Sequence, residues 1–151
     1  MNACVTNDQQ RMTNDQPVLV SACLLGFACR HDAADRRNPA VLKLLAHRSI
    51  VPICPEMAGG LSAPRQAATL DHAGVVNGEG SRVTAAFEMG AALAVEAAQR
   101  FGCRTALLKQ NSPSCGTRQT NRDWQRVAGQ GVAATALLHA GVRAFGEDEI
   151  A

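Results

Sequence analysis

The sequence predicts an α/β fold, a single three-layer, Rossmann-like domain whose mainly parallel sheet is flanked by helices. Short apolar runs of strand length recur at residues 17–22, 50–53 and 105–108. Stretches with apolar residues at helical spacing lie between and after them. The two kinds follow one another as strand, helix, strand, loop, helix, strand, loop, helix, strand, the order of a parallel sheet between helices. A chain of 151 residues is one domain by length and can bury a core without staples. The expected division is a flexible tail over 1–16 and the α/β domain over 17–151.

The tail is polar, lacks an apolar period and nearly repeats itself, with Thr6-Asn7-Asp8-Gln9 followed by Thr13-Asn14-Asp15-Gln16. Cys4 within it is assigned no role. Pro17 can only open a strand, so residues 17–22 read as a short buried strand closed by Cys23. A loop over 24–32 leads to Asn38-Pro39, an N-cap side chain with proline at the first helical position. That helix is expected to reach about His47, with Val41, Leu42, Leu44 and Leu45 as its apolar face. Ile50-Val51-Pro52-Ile53 is the second strand, and Pro52 calls for an irregular or terminal position because it has no N–H. Cys54 ends it. Residues 55–65 read as a loop in which Gly59-Gly60 lets backbone approach a ligand. Residues 66–80 are ambiguous, with 74–78 fitting a small hairpin. From Val83 or Thr84 to Phe101 the spacing of Phe87, Ala91, Ala94, Val95 and Ala98 predicts a helix stopped by Gly102. Residues 105–108 form the third strand, 117–126 a polar segment, 132–139 a helix closed by Gly141, and 142–145 a last strand.

Composition narrows the function. Apolar residues make up 46% of the chain, but aromatics only 3% with no tyrosine, which argues against the stacking platforms of single-stranded nucleic-acid binders. Fifteen basic against thirteen acidic residues give a net charge of +2, too small for a general polyanion binder, so no nucleic-acid partner is expected. No window resembles a membrane span or a signal peptide, which leads to the expectation of a cytoplasmic protein with no membrane partner. Oligomeric state stays open. The six cysteines include no Cys-x-x-Cys pair. In a reducing compartment such thiols are metal ligands, nucleophiles or small buried apolar groups.

Three of them stand apart. Cys23, Cys54 and Cys115 each follow the end of a predicted strand, the last within the turn Ser112-Pro113-Ser114-Cys115-Gly116. Right-handed crossovers bring the carboxyl ends of parallel strands to one edge, where ligands of such sheets bind. Thiolates suit zinc, copper(I) or iron-sulfur clusters, and three of them leave one corner of a four-iron cube without a protein ligand. Burial as small apolar residues is the competing reading from spacing alone.

Taken together, Ser21-Ala22-Cys23-Leu24-Leu25-Gly26, Cys29-Arg30-His31-Asp32, Cys54-Pro55-Glu56, Gly59-Gly60-Leu61-Ser62-Ala63-Pro64-Arg65, Val83-Thr84-Ala85-Ala86-Phe87 and the Ser112–Gly116 turn resemble the 2-thiouracil desulfidase family. The resemblance covers about residues 18 to 146. It implies a [4Fe-4S] cluster held by Cys23, Cys54 and Cys115 and the removal of sulfur from a small-molecule thiolated base, 2-thiouracil becoming uracil plus sulfide. In that scheme the thiocarbonyl sulfur binds the open iron and water attacks the carbon. Glu56, the carboxylate nearest in sequence to a ligand, is the candidate base. Ser112 and Ser114 are candidates to bind the water or the substrate. Arg30, Asp32 and Arg65 would orient a pyrimidine edge or support the loop, and Lys109 would offset thiolate charge or end its strand in water. Cys29 falls where the family does not demand cysteine and is read as a neighbour rather than a ligand, and Cys103 as packing. The alternative is a metal-binding or sulfur-carrier module without turnover. Two departures bear on substrate preference. The family's Ile-Tyr-Asp-Gly-like segment after Gly116 is replaced here by residues 117–124, and Ala67-Ala68 stands where an acidic residue is common.

Overall fold

The computed structural model describes residues 16–150. The tail over 1–16, apart from Gln16, and Cys4 with it lie outside the described residues. Strands β1 (Val18–Ser21), β2 (Ile50–Ile53), β5 (Thr105–Leu108) and β8 (Arg143–Gly146) form an all-parallel sheet in the order β2-β1-β5-β8. The two central strands are buried along their whole length, which is why they read as continuous apolar runs rather than alternating ones. Pro52 falls on the edge strand β2, opposite Val20 of β1, a position where its missing N–H is tolerated.

Alternate residues of the central strands serve opposite faces. Leu19, Ala106 and Leu108 pack with Ala94 and Ala98 of helix α3 (Thr84–Phe101) and with Ala134 and Leu137 of helix α4 (Val132–His139). Val18, Val20 and Leu107 pack on the other side against Val41 of α1 (Pro39–Leu44), Leu45, and Leu24 of the 3-10 turn Ala22–Leu25. The three-layer arrangement follows. Asn38 caps α1 as expected, its side chain accepting from Ala40 and Val41 N–H at 3.0 and 3.2 Å. The helix ends at Leu44, short of His47, and only Val41 and Leu45 of its four expected apolar residues are buried.

Two expectations are corrected. Residues 55–58 are not loop but a helical turn, α2 (Pro55–Ala58), opened by proline at its first position. The glycine beyond it faces a helix rather than a ligand: a Cβ on Gly59 would lie 2.0 Å from the Ala86 carbonyl oxygen of α3. In return, a Cβ on Gly90 of α3 would lie 1.8 Å from the Pro55 carbonyl oxygen. Two glycines thus let α2, and Cys54 immediately before it, press against α3.

The second correction is a second sheet. The small hairpin expected within 74–78 is a larger one: those residues supply only its second strand, β4 (Gly74–Asn77), paired antiparallel with β3 (Ala68–Asp71). The polar segment 117–126, however, forms a second hairpin, β6 (Gln119–Arg122) with β7 (Gln125–Ala128), in the sheet order β4-β3-β6-β7. Its turn residues Asp123 and Trp124 have φ of 51° and 64°, the positive-φ pair of a tight hairpin but without the usual glycine. Tertiary bonds hold it there: Asp123 N–H donates to the Leu70 carbonyl and Trp124 N–H to Thr69 Oγ1, each at 2.9 Å. Among the described residues no helix is long and apolar enough to cross a membrane.

Gly90→Ala tests the close approach of α2 and α3. Helix propensity alone favours alanine by about 1 kcal/mol, whereas forcing a methyl into filled space costs about 1–3 kcal/mol. Chemical denaturation should show net destabilisation, and a gain in stability would contradict the contact.

Candidate active site

The carboxyl ends of β1, β2 and β5 open on one cavity of about 320 Å³, lined among others by Cys23, Cys54, Glu56, Ser112, Ser114 and Cys115. Each strand delivers its cysteine differently. Cys23 follows β1 in the 3-10 turn, and Cys54 is the single residue between β2 and α2. Cys115 sits in a turn built by its neighbours. Ser112 Oγ accepts the N–H groups of Ser114 and Cys115 at 3.0 and 2.9 Å, and Thr120 of β6 donates from its hydroxyl to the Ser112 carbonyl at 2.9 Å. Helix α4 has no side-chain cap at Gly131. Its open N–H groups at Val132 and Ala133 instead donate to the carbonyls of Pro113 and Ser114, both at 2.9 Å.

Cys29, Cys54 and Cys115 are held in their protonated form by their surroundings. Burial pushes Cys115 up to about 12, partly opposed by a hydrogen bond from Ser21. Cys54 is raised chiefly by its hydrogen bond with the Cys29 thiol and then by burial, and Cys29 chiefly by its bond with Cys23. Soft cations reverse such shifts by binding the thiolate. Among the described residues no three His, Cys, Asp or Glu side chains converge as a single ion requires. Thiols spread around a cavity suit a polynuclear cluster, which spaces its ligands further apart than one zinc ion does.

Glu56, in the first turn of α2, is clamped by Arg65, whose Nη2 and Nε both donate to Oε2, the latter at 2.9 Å. Arg65 Nη1 donates to the carbonyls of Cys29 and Ser62 at 3.0 and 2.8 Å. Every nitrogen of this guanidinium is thereby engaged in holding the loop and the carboxylate. Arg30 also lines the cavity, 3.4 Å from Asp32 through Nε. Asp32 itself is not brought into the cavity lining. It is 42% exposed and accepts from Ala34 N–H, which holds its carboxyl below the usual range. Lys109 reaches Glu147 at 2.8 Å, so it neither ends in water nor stands free.

The structure separates the two serines. Ser112 Oγ is occupied as an acceptor, leaving its proton to donate. Ser114 Oγ is buried and makes no hydrogen bond of standard geometry among the described residues, although it lies near the Cys115 sulfur. Other lining residues were not singled out in the sequence. Ser21 receives the Lys109 N–H on its hydroxyl at 3.0 Å, and a serine closing an otherwise apolar strand is the signal that could have found it. Arg126 comes from β7, and nothing in the polar segment 117–126 signals that a hairpin would carry it to the cavity. Arg30, Arg36, Arg65, Lys109 and Arg126 face one lining carboxylate, Glu56.

Comparison with known proteins gives the following. The family model described as 2-thiouracil desulfurase matches residues 18–149. A Bacillus subtilis (strain 168) protein, the uncharacterized protein YbbK, is 32% identical over 146 residues, covering 88% of this chain and 97% of that protein. A solved structure described as the [4Fe-4S]-dependent thiouracil desulfidase TudS superposes with a TM-score of 0.80 at 36% identity, covering 89% of this chain and 93% of that one.

The buried thiols make metal-free stability depend on pH. The folded value of Cys115 lies above the ordinary 9.0, so folding favours the protonated thiol and stability is lost as pH rises through the window from 9.0 to about 12. Denaturation midpoints of the metal-free protein should fall from about pH 8.5 upward, and less steeply for Cys115→Ala. Parallel curves for the two proteins would contradict the assignment.

Proposed function

The chain belongs to the 2-thiouracil desulfurase family, and from that premise we propose that it is a [4Fe-4S]-dependent thiouracil desulfidase that replaces the substrate's thiocarbonyl sulfur by the oxygen of water. The observation that carries this reading is the meeting of Cys23, Cys54 and Cys115 with Glu56 at one cavity on the carboxyl edge of the sheet. It is supported by the likeness to a structure whose own description names the cluster and the substrate. The three thiolates would hold three of the four irons. When bound, the cluster would supply a soft Lewis acid suited to a thione sulfur.

The chain's own groups would do the rest. The Arg65 clamp grips Glu56 through Oε2, so one oxygen is fixed and Oε1 would be the one to take the proton from water. Ser112, already accepting two N–H groups, can donate its proton to the water or the base. Ser114 offers a buried hydroxyl with no competing partner of standard geometry. Arg30 would border the base, and Arg65 would position Glu56. The excess of cations over carboxylates offsets the negative charge that thiolates bring to a closed site. A volume of about 320 Å³, at the small end of ligand cavities, favours a free base over a polymer. The reaction is balanced without electrons: thiocarbonyl plus water gives carbonyl plus hydrogen sulfide.

Anaerobic reconstitution followed by iron analysis and a uracil assay tests both halves. Cys23→Ser, Cys54→Ser and Cys115→Ser should each lose iron, while Cys29→Ala keeps it; full iron in the Cys115 variant would remove it from the ligand set. Glu56→Gln should keep the cluster and lower kcat by about 10²–10⁴-fold. Unchanged turnover in that variant would place the base elsewhere, and a reconstituted unmodified protein that forms no uracil would favour the sulfur carrier over the enzyme.

A further inference from the structure

One thiol of the cavity has no task in this scheme. Cys29 is only 7% exposed. It lines the cavity together with Cys23 and Cys54, and its sulfur lies within hydrogen-bond reach of both of theirs. Its backbone is fixed as well, the carbonyl accepting the Cys54 thiol at 3.6 Å and Arg65 Nη1 at 3.0 Å. Cys103 offers the contrast: it belongs to the alanine and leucine core under α3 and α4 and does not line the cavity. A disulfide needs its two Cα atoms within about 7 Å. A Cys54 thiol already in contact with the Cys29 main chain is consistent with that span.

We propose that Cys29 is a redox modification site, the resolving thiol that closes a reversible disulfide with Cys54 when the cavity is free of its cluster and a low-molecular-weight disulfide is present. Cys54 is the more exposed of the two and meets the reagent first. Its thiolate attacks one sulfur of the small disulfide; a Cys54 mixed disulfide forms as the reagent's own S–S bond breaks, and one small thiol leaves with the proton Cys54 has lost. The Cys29 thiolate then attacks the Cys54 sulfur, and the second small thiol leaves with the proton of Cys29. Two protein thiols are oxidised and one small disulfide is reduced. The cations around the cavity draw an anionic reagent such as oxidised glutathione. The product is opened by reductant, whereas a cysteine without a resolving partner stays adducted or proceeds to irreversible oxidation.

The consequence for cluster loading rests on the reading of Cys54 as a ligand; the disulfide itself does not. Metal-free full-length protein is incubated anaerobically with oxidised glutathione at about pH 9, where thiolate is more abundant. It is then alkylated and mapped by peptide mass spectrometry, with a portion taken on to cluster reconstitution. The main product should be a Cys29–Cys54 linked peptide free of glutathione, and iron uptake should fall to background until a reductant restores it. Cys29→Ala, with Cys29→Ser as a second variant should the first not fold, should retain glutathione on Cys54. A lasting glutathione adduct on Cys54 of the unmodified sequence, or a link from Cys29 to any other cysteine, would overturn the proposal. A Cys29–Cys54 link with undiminished iron uptake would uphold the modification site and overturn the ligand assignment of Cys54 instead.

Discussion

The bonds between the first turn of α4 and the turn that bears Cys115 satisfy two needs at once, and the site depends on them. A helix without a capping side chain leaves N–H groups open, and a five-residue turn buried at a sheet edge leaves carbonyls open. Val132 and Ala133 meet Pro113 and Ser114, so neither remains unpaired. Since α4 is itself anchored by Ala134 and Leu137 against Leu19 and Leu108, the position of Cys115 is tied to the same core that holds β1 and β5. Ser21 adds a direct tie between those two strand ends through the Lys109 N–H.

Cys54 is fixed by a different route. No long side chain holds it; instead Gly59 and Gly90 remove the methyl groups that would keep α2 away from α3. The clamp from Arg65 then carries the same loop across to the β1 side, joining Glu56 of α2 to the Cys29 carbonyl. A single guanidinium suits this because its fork reaches a carboxylate and two carbonyls in one plane, which a lysine cannot do.

The readable parts of this chain were those in which local chemistry and tertiary need agree. Asn38-Pro39, Gly102 and the buried runs of β1 and β5 have one strong local reading each, and the parallel sheet with its shared edge follows from their order. The convergence of Cys23, Cys54 and Cys115 was legible for the same reason, because Cys23 and Cys54 lie within two residues of a strand end and Cys115 in the turn that follows β5. The second sheet was not. Gln119 to Ala128 is polar, its turn lacks glycine, and the bonds that stabilise it come from Thr69, Leu70 and Ser112, far away in sequence. The same remoteness concealed Arg126, and it left Gly59 looking like a place for a ligand when its missing side chain makes room for a helix.

These two halves of the fold divide the labour of the cavity. The ends of the parallel strands supply the cavity's thiols, and hydrogen bonding and burial favour the protonated form of Cys54 and Cys115. The second sheet and the long loops supply much of the charge, with Arg126 from β7 and Arg30, Arg36 and Arg65 from the loops. Thiolates gathered in a low-dielectric pocket repel one another, so a site that expects them must place positive charge nearby or stay neutral. Here both conditions meet in one cavity: the thiols of Cys54 and Cys115 are raised toward the neutral form, and Arg30, Arg36, Arg65 and Arg126 line the same walls.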